Sequence, residues 1–240
     1  MQEAAVGAGL KSIMHHRLCL LALCLCLPLH AQEKAAKPER KVNPVLAPIQ
    51  DAPGLPRVLL VGDSISMGYT LPVRKLLEGK ANVHRIPQNG GPSKNGIANL
   101  DKWLGAGKWD VIHFNHGIHD VKVMPDGKNQ VEPADYEANL RTIVVKLKAT
   151  GAKVIFALTT PIPDNLRSGD RRFSSEVEYN AIASRVMQEN GVAINDLYGY
   201  VKPRFAELQI PNDLHYKPEG SEFLAVRVAE VILAALPAKP

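Results

Sequence analysis

The stretch that decides the fold is RVLLVGDSISMGYT, residues 57–70. Its apolar run, 58–61, ends at Gly62, and amphipathic sequence follows over 71–77. A short run of valine and leucine that is closed by glycine is typical of a buried parallel strand, and the following segment has helical spacing. Ser64 is therefore expected at a strand-to-helix turn, on the sheet edge where open α/β folds bind their ligands.

A serine at this turn has two ordinary roles. It can cap the following helix with its side-chain oxygen. It can also be a nucleophile beside the free N–H groups of the first helical turn, which attract negative charge. The second role needs a base within hydrogen-bond reach, so the rest of the chain decides between them.

Four more apolar runs follow at spacings that predict strands. They cover 82–86, 109–115, 153–159 and 192–195. Segments with helical spacing alternate with them, over 97–104, 136–149, 176–190 and 219–236. This alternation implies right-handed crossovers and a parallel α/β sheet of about five strands, covered by helices on both faces.

The N-terminus has the pattern of a secretory leader. Residues 15–17 are basic or histidine, and the apolar run that follows, 18–29, is too short to span a bilayer. We predict a signal peptide over 1–31, with either Met1 or Met14 as its start, and hence a secreted or periplasmic protein. An uncleaved membrane anchor is the alternative.

Residues 32–56 are rich in Lys, Pro, Ala and Glu and show no apolar period. This composition predicts an extended linker between the leader and a domain over 57–240. All three cysteines, at 19, 24 and 26, lie in the leader. Removal of the leader would therefore leave no thiol nucleophile, disulfide or cysteine-based metal site.

The charge pattern excludes some classes of partner. The formal net charge is +5, from 29 basic and 24 acidic residues, with no basic block interleaved with aromatics. Nucleic acid is therefore not an expected partner, and no stable membrane span is expected after leader removal. We also expect no cofactor. A phosphate-binding loop over 62–66 is disfavoured, because it has neither Walker spacing nor a Gly-x-Gly-x-x-Gly run.

Polar, loop-forming segments follow the predicted strands and precede the last helix, so they converge on one sheet edge. Four of them are GDSIS at 62–66, NGG at 89–91, GIHD at 117–120 and NDLH at 212–215. Their order and spacing resemble the GDSL, or SGNH, family of esterases and lipases. The resemblance implies a flavodoxin-like three-layer sandwich, a serine nucleophile and the hydrolysis of esters, often of acyl groups on lipids or carbohydrates.

Ser64 and His215 are the candidate nucleophile and base, because a serine hydroxyl needs a base to attack near neutral pH. The family pattern has aspartate three residues before this histidine. Here that position is Asn212, and an aspartate follows at Asp213. A carboxylate stabilises an imidazolium by charge, whereas a carboxamide only orients the ring. We favour Asp213, with Asn212 or a backbone carbonyl as alternatives.

The resemblance also implies hydrogen-bond donors for the oxyanion that forms during ester cleavage. These are the backbone N–H groups of Ser64 and Gly91, with Gly90 and Gly96 as alternatives to Gly91. The family's side-chain donor is the asparagine of Gly-x-Asn-Asp, and in this chain His119 occupies that position. An imidazole N–H can donate the same hydrogen bond.

Histidines at 113, 116 and 119 have a spacing that raises the question of a metal site. Positions three apart on a strand face opposite sides of the sheet, and His113 lies within a predicted strand, so we predict no metal. Asp63 is expected to accept hydrogen bonds from the neighbouring loop.

The leading prediction is a secreted serine esterase that works through an acyl-enzyme on a small-molecule or carbohydrate ester, such as an acetylated sugar. The alternative is a catalytically weakened carbohydrate-binding or cell-envelope protein on the same fold. His119 and Asn212 motivate this alternative, because both depart from the family pattern.

Overall fold

A five-stranded parallel sheet lies at the centre of the structure, a computed structural model that describes residues 43–237. Its strands are β1 (Arg57–Val61), β2 (Asn82–Arg85), β3 (Val111–Phe114), β4 (Lys153–Ala157) and β5 (Ala193–Asn195). Their order is β2-β1-β3-β4-β5, and every neighbouring pair is parallel. This is the doubly wound order of flavodoxin-like proteins, so the predicted fold is confirmed.

Helices connect the strands. They are α1 (Ser64–Leu76), α2 (Ser93–Leu104), α3 (Pro133–Ala149), α4 (Ser175–Glu189), α5 (Leu197–Val201), α6 (Phe205–Leu208) and α7 (Pro218–Ala235). The sequence predicts the five long ones. It misses α5 and α6, which lie in a segment predicted as an irregular connection, because four or five residues are too few to show a hydrophobic period.

Both faces of the sheet are buried, and β1 shows how. Val58 and Leu60 pack with α1 and α7 on one face. Leu59 and Val61 pack with α2, α3 and α4 on the other, because successive strand residues point to opposite sides. Each such side chain contributes about 1.5–3 kcal/mol by its removal from water. Within residues 43–237, no helix has the length and apolar character needed to cross a bilayer.

In the turn after β1, a residue other than Ser64 caps the following helix. Asp63 is the N-cap of α1, and its Oδ1 accepts the N–H groups of Ile65 at 2.9 Å and Ser66 at 3.4 Å. Carboxylates are among the preferred helix caps. Asp63 therefore accepts bonds from its own loop as predicted, and the Ser64 hydroxyl is left for another partner.

Arg85, at the end of β2, holds this turn in place. Its Nη2 donates to the carbonyl oxygens of Gly62 at 2.7 Å and Asp63 at 3.0 Å, and its Nη1 donates to Ser66 Oγ at 2.6 Å. Burial lowers the pKa of the Arg85 guanidinium to about 10, which leaves it charged at neutral pH. Nothing in the sequence marks this arginine, since a charge at the end of a short strand ordinarily lies in solvent.

The predicted linker is corrected over residues 43–56, which lie against the edge of the sheet. The N–H of Ala52 donates to Asn82 Oδ1 at 2.8 Å, and Asn82 Nδ2 donates to the carbonyl oxygens of Ala52 at 3.0 Å and Leu55 at 3.2 Å. These bonds cover part of the exposed edge at β2, which an open sheet must protect. The predicted leader, 1–31, both candidate starts and residues 32–42 lie outside the described residues.

We expect Arg85→Met to lower the free energy of unfolding by roughly 3 kcal/mol, because the buried carbonyls of Gly62 and Asp63 lose their charged donor. Urea unfolding followed by circular dichroism measures the change. Arg185→Met is the matched control, since Arg185 is 53% exposed and makes only surface ion pairs. Equal stability of the two variants would contradict the role given to Arg85.

Candidate active site

Ser64, His215 and Asp213 form a continuous chain of hydrogen bonds at the carboxyl edge of the sheet. Ser64 Oγ lies 2.8 Å from His215 Nε2. His215 Nδ1 lies 2.6 Å from Asp213 Oδ1, and the same oxygen accepts the backbone N–H of His215 at 2.9 Å. A carboxylate on one ring nitrogen fixes the imidazole so that the other nitrogen faces the hydroxyl.

A tight loop before α7 carries His215 to the serine. It is closed by the pairing of Gln209 with Tyr216 and by a hydrogen bond from Gln209 Nε2 to the carbonyl oxygen of Asp213. The packing of α7 against α1 then sets this loop beside the start of α1. Two ends of the domain, 151 residues apart in sequence, meet in this way.

Hydrogen bonding keeps the Asp213 carboxyl ionised. Its partial burial raises the pKa, but the hydrogen bonds from the backbone and ring of His215 outweigh that effect, and the net pKa is lowered. The site therefore pairs a carboxylate with the imidazole at neutral pH, which is the charge arrangement that stabilises an imidazolium.

Asn212, the alternative partner of the imidazole, is held elsewhere. Its backbone is left-handed, with φ 61°, and its carbonyl oxygen accepts the N–H of Arg167 at 2.9 Å. Asparagine tolerates this conformation better than most residues. Among the described residues, His215 Nδ1 makes its hydrogen bond with Asp213. The geometry therefore favours Asp213, over both Asn212 and a backbone carbonyl, as the group that orients the imidazole.

His119 lines the same cavity as Ser64 and His215, with a volume of about 360 Å³. Burial lowers the pKa of His119, and the Asp63 carboxylate opposes this shift while Arg171 adds to it. The imidazole is therefore neutral at neutral pH. A neutral ring still carries one N–H, which can donate a hydrogen bond into the cavity.

Asp120 fixes the backbone beside His119. Its Oδ1 accepts the backbone N–H of Ser93 at 2.8 Å and the Ser93 hydroxyl at 2.5 Å. Burial raises the pKa of Asp120 to about 7, against the lowering effect of these bonds. Since Ser93 opens α2, the contact ties the loop that carries His119 to the start of that helix.

The predicted role of Gly91 is corrected by the structure, because its amide is already occupied. The N–H of Gly91 donates to Asn89 Oδ1 at 2.9 Å, and the N–H of Gly90 donates to Gly62 O at 2.9 Å. Asparagine commonly closes such turns on backbone two residues on. Gly96 lies within α2, where an added Cβ would collide with His116. The loop therefore stays close to the turn after β1, but it presents no free amide from Gly90 or Gly91.

The N–H of Ser64 is the backbone donor that remains. Ser64 is the first residue of α1, where N–H groups have no partner within the helix. No acceptor among residues 43–237 takes this N–H. This N–H can therefore donate a hydrogen bond to a negatively charged group, as free amides at the start of a helix commonly do.

The two histidines that precede GIHD, His113 and His116, are buried and do not line the cavity at Ser64. His113 packs edge-on against Tyr69 with ring centroids 6.3 Å apart, and burial lowers its pKa to about 4. His116 Nδ1 lies 3.1 Å from the Gly91 carbonyl oxygen. In the part of the chain that the structure describes, no three side chains are placed to hold a metal ion.

Arg171 and its neighbours form a wall of the cavity that the sequence did not reveal. Arg171 Nε donates to the Ile118 carbonyl oxygen at 2.6 Å, and its Nη1 pairs with Asp170 at 2.8 Å. Lys122 also pairs with Asp170, at 3.3 Å. These contacts fix the segment 166–171 against the loop that carries His119.

Comparison with known proteins agrees with this architecture. Residues 60–223 match the model of the GDSL-like Lipase/Acylhydrolase family. The chain is also similar to an arylesterase of Vibrio mimicus, with 25% identity over 191 residues that cover 75% of this chain and 90% of that protein.

Solved structures share the fold. A lipase/acylhydrolase from Enterococcus faecalis superposes with a TM-score of 0.67 at 21% identity, over 78% of this chain and all (100%) of that one. An acetylxylan esterase from Geobacillus stearothermophilus gives a TM-score of 0.61 at 20% identity, over 74% of this chain and 94% of its own. The predicted family is confirmed by the family model. The chain therefore belongs to the GDSL-like lipase/acylhydrolase family and is an enzyme that hydrolyses esters.

Proposed function

We propose that the protein is a serine esterase that works through an acyl-enzyme, with Ser64 as nucleophile, His215 as base and Asp213 as its orienting carboxylate. The observation that carries the proposal is the pair of contacts at His215, 2.8 Å to Ser64 Oγ and 2.6 Å to Asp213 Oδ1. The first distance lets His215 take the proton of the Ser64 hydroxyl, and the second lets the Asp213 carboxylate hold the ring.

In the acylation step, Ser64 Oγ bonds to the ester carbonyl carbon while His215 Nε2 takes its proton. The imidazolium is stabilised by the Asp213 carboxylate and returns the proton to the alcohol oxygen as the carbon–oxygen bond breaks. In deacylation, water replaces the serine hydroxyl as the attacking group, and His215 again takes and returns the proton. The acid leaves, and Ser64 is restored.

Two donors face the oxyanion in this proposal. The first is the N–H of Ser64, at the start of α1, and the second is the neutral imidazole of His119. Such donors act strongly because they are fixed in place before the reaction.

We propose a short acyl group, such as acetyl, on a carbohydrate or other small-molecule alcohol. The cavity at Ser64, of about 360 Å³, lies at the lower end of the ordinary range of ligand pockets, and this supports a short acyl group. Solved structures with the same fold include acetylxylan esterases. We also propose that the protein is exported, and the support is the leader pattern of residues 15–29.

Ser64→Ala is expected to lower kcat for p-nitrophenyl acetate by at least about 10³-fold, because the nucleophile is lost. Thr142→Ala removes an exposed hydroxyl on α3 and serves as the control. A fluorophosphonate should label the unmodified protein once per chain, at Ser64. Retained turnover in the Ser64 variant would contradict the serine mechanism, and so would a fluorophosphonate that leaves Ser64 unlabelled.

His119→Ala is expected to lower kcat by about 10²–10³-fold with little change in KM, because its N–H serves mainly the oxyanion. His119→Asn is expected to keep most of the activity, since a carboxamide N–H can donate the same bond. Steady-state kinetics with p-nitrophenyl acetate measures both. If His119→Ala is as active as the unmodified enzyme, His119 is not an oxyanion donor.

A further inference from the structure

A second cavity, of about 470 Å³, opens next to the one that contains Ser64. Asn212 lines both cavities, so a molecule bound in one would lie beside a molecule bound in the other. The steps proposed for ester cleavage use no side chain of this second cavity. Its volume lies in the range of ordinary ligand pockets, which is roughly 300–1,000 Å³.

Aromatic rings form part of its wall. Phe173, Tyr198 and Phe205 all line the cavity. Phe173 is 64% exposed, which leaves a large apolar ring in water. Apolar surface exposed at the rim of a cavity commonly marks a binding site. The Lys202 Nζ lies 4.9 Å from the Tyr198 ring centroid, within the range of a cation–π contact.

One of the polar groups in the lining is a buried carboxyl group. Glu176 lines the cavity, is only 1% exposed, and its Oε2 has no hydrogen-bond partner among the described residues. A buried oxygen without a partner is costly, and such groups are uncommon in folded proteins. A ligand hydroxyl could satisfy it.

We propose that the second cavity binds the sugar ring of a carbohydrate ester, while the acyl group of the same molecule lies in the cavity at Ser64. This inference rests on the proposed function and names the alcohol side of the substrate. One face of a sugar ring carries C–H groups that pack against aromatic rings, and its hydroxyls need acceptors such as the Glu176 carboxyl. A fatty alcohol would leave that carboxyl without a partner.

The test compares an ester that fills both cavities with one that reaches only the first. The substrates are an acetylated xylooligosaccharide and ethyl acetate, and the variants are Phe173→Ala and Glu176→Gln. We expect each variant to lower kcat/KM for the oligosaccharide by about tenfold, mainly through KM. Hydrolysis of ethyl acetate should stay within about twofold of the unmodified enzyme.

Val145→Ala is the matched control, because Val145 is 63% exposed on α3 and lines neither cavity. It should change neither substrate's kinetics. Phe173→Ala keeps the test decisive if Glu176→Gln fails to fold, since Phe173 is mostly in solvent. An unchanged kcat/KM for the oligosaccharide in Phe173→Ala would overturn the inference. An equal loss on both substrates would also overturn it.

Three further outcomes show whether this inference, the proposed function or both fail. Hydrolysis of ethyl acetate without hydrolysis of the oligosaccharide would overturn the sugar site and leave the esterase intact. A loss in Phe173→Ala that is confined to p-nitrophenyl acetate would assign the cavity to aryl alcohols, which also overturns the inference.

If no ester is hydrolysed, the proposed function fails, and calorimetric titration with the unacetylated xylooligosaccharide still tests the cavity. Weaker binding to Phe173→Ala would support it, and unchanged or absent binding would overturn it.

Discussion

The hydrogen bonds from Arg85 to the turn after β1 are the interaction on which the site depends. This buried guanidinium holds the carbonyl oxygens of Gly62 and Asp63, the two residues that bring the chain from the strand to the first helix. The Asp63 carboxylate caps that helix from the same turn. With the turn fixed and the cap supplied by its neighbour, Ser64 is free to face His215 at 2.8 Å.

The rest of the site is brought to that serine by packing on both faces of the sheet. On one face α7 packs with α1, and this places the loop with Asp213 and His215 beside Ser64. On the other face α2 is tied by Ser93 to Asp120, the residue after His119. The loops that carry His215 and His119 therefore reach the same cavity from opposite faces of the sheet, which is how a parallel sheet gathers distant segments at one edge.

Much of the fold could be predicted from the sequence, because buried parallel strands and long amphipathic helices leave clear hydrophobic periods. The position of Ser64, His215 and Asp213 at one edge follows from the same topology. The preference for Asp213 over Asn212 rested on charge alone, and the left-handed backbone at Asn212 was not visible in the sequence. The catalytic roles themselves remain proposals that rest on this geometry.

Other features depend on contacts that no local pattern reveals. The Gly91 amide is occupied by the Asn89 side chain, which only the folded loop shows. Arg85 and Glu176 are residues of types that ordinarily lie in solvent, yet tertiary packing buries both. Residues 43–56 have a linker composition, but their backbone pairs with Asn82 at the sheet edge.

The proposed mechanism depends on the carboxylate that supports His215. The most direct measurement is the kcat of Asp213→Asn beside that of Asn212→Gly, a variant that keeps the left-handed backbone accessible. We expect Asp213→Asn to lower kcat by about 10⁴-fold, because the imidazolium loses its charge partner. Asn212→Gly should stay within about tenfold of the unmodified enzyme. A large loss in Asn212→Gly with an active Asp213→Asn would contradict the proposed Ser64–His215–Asp213 arrangement.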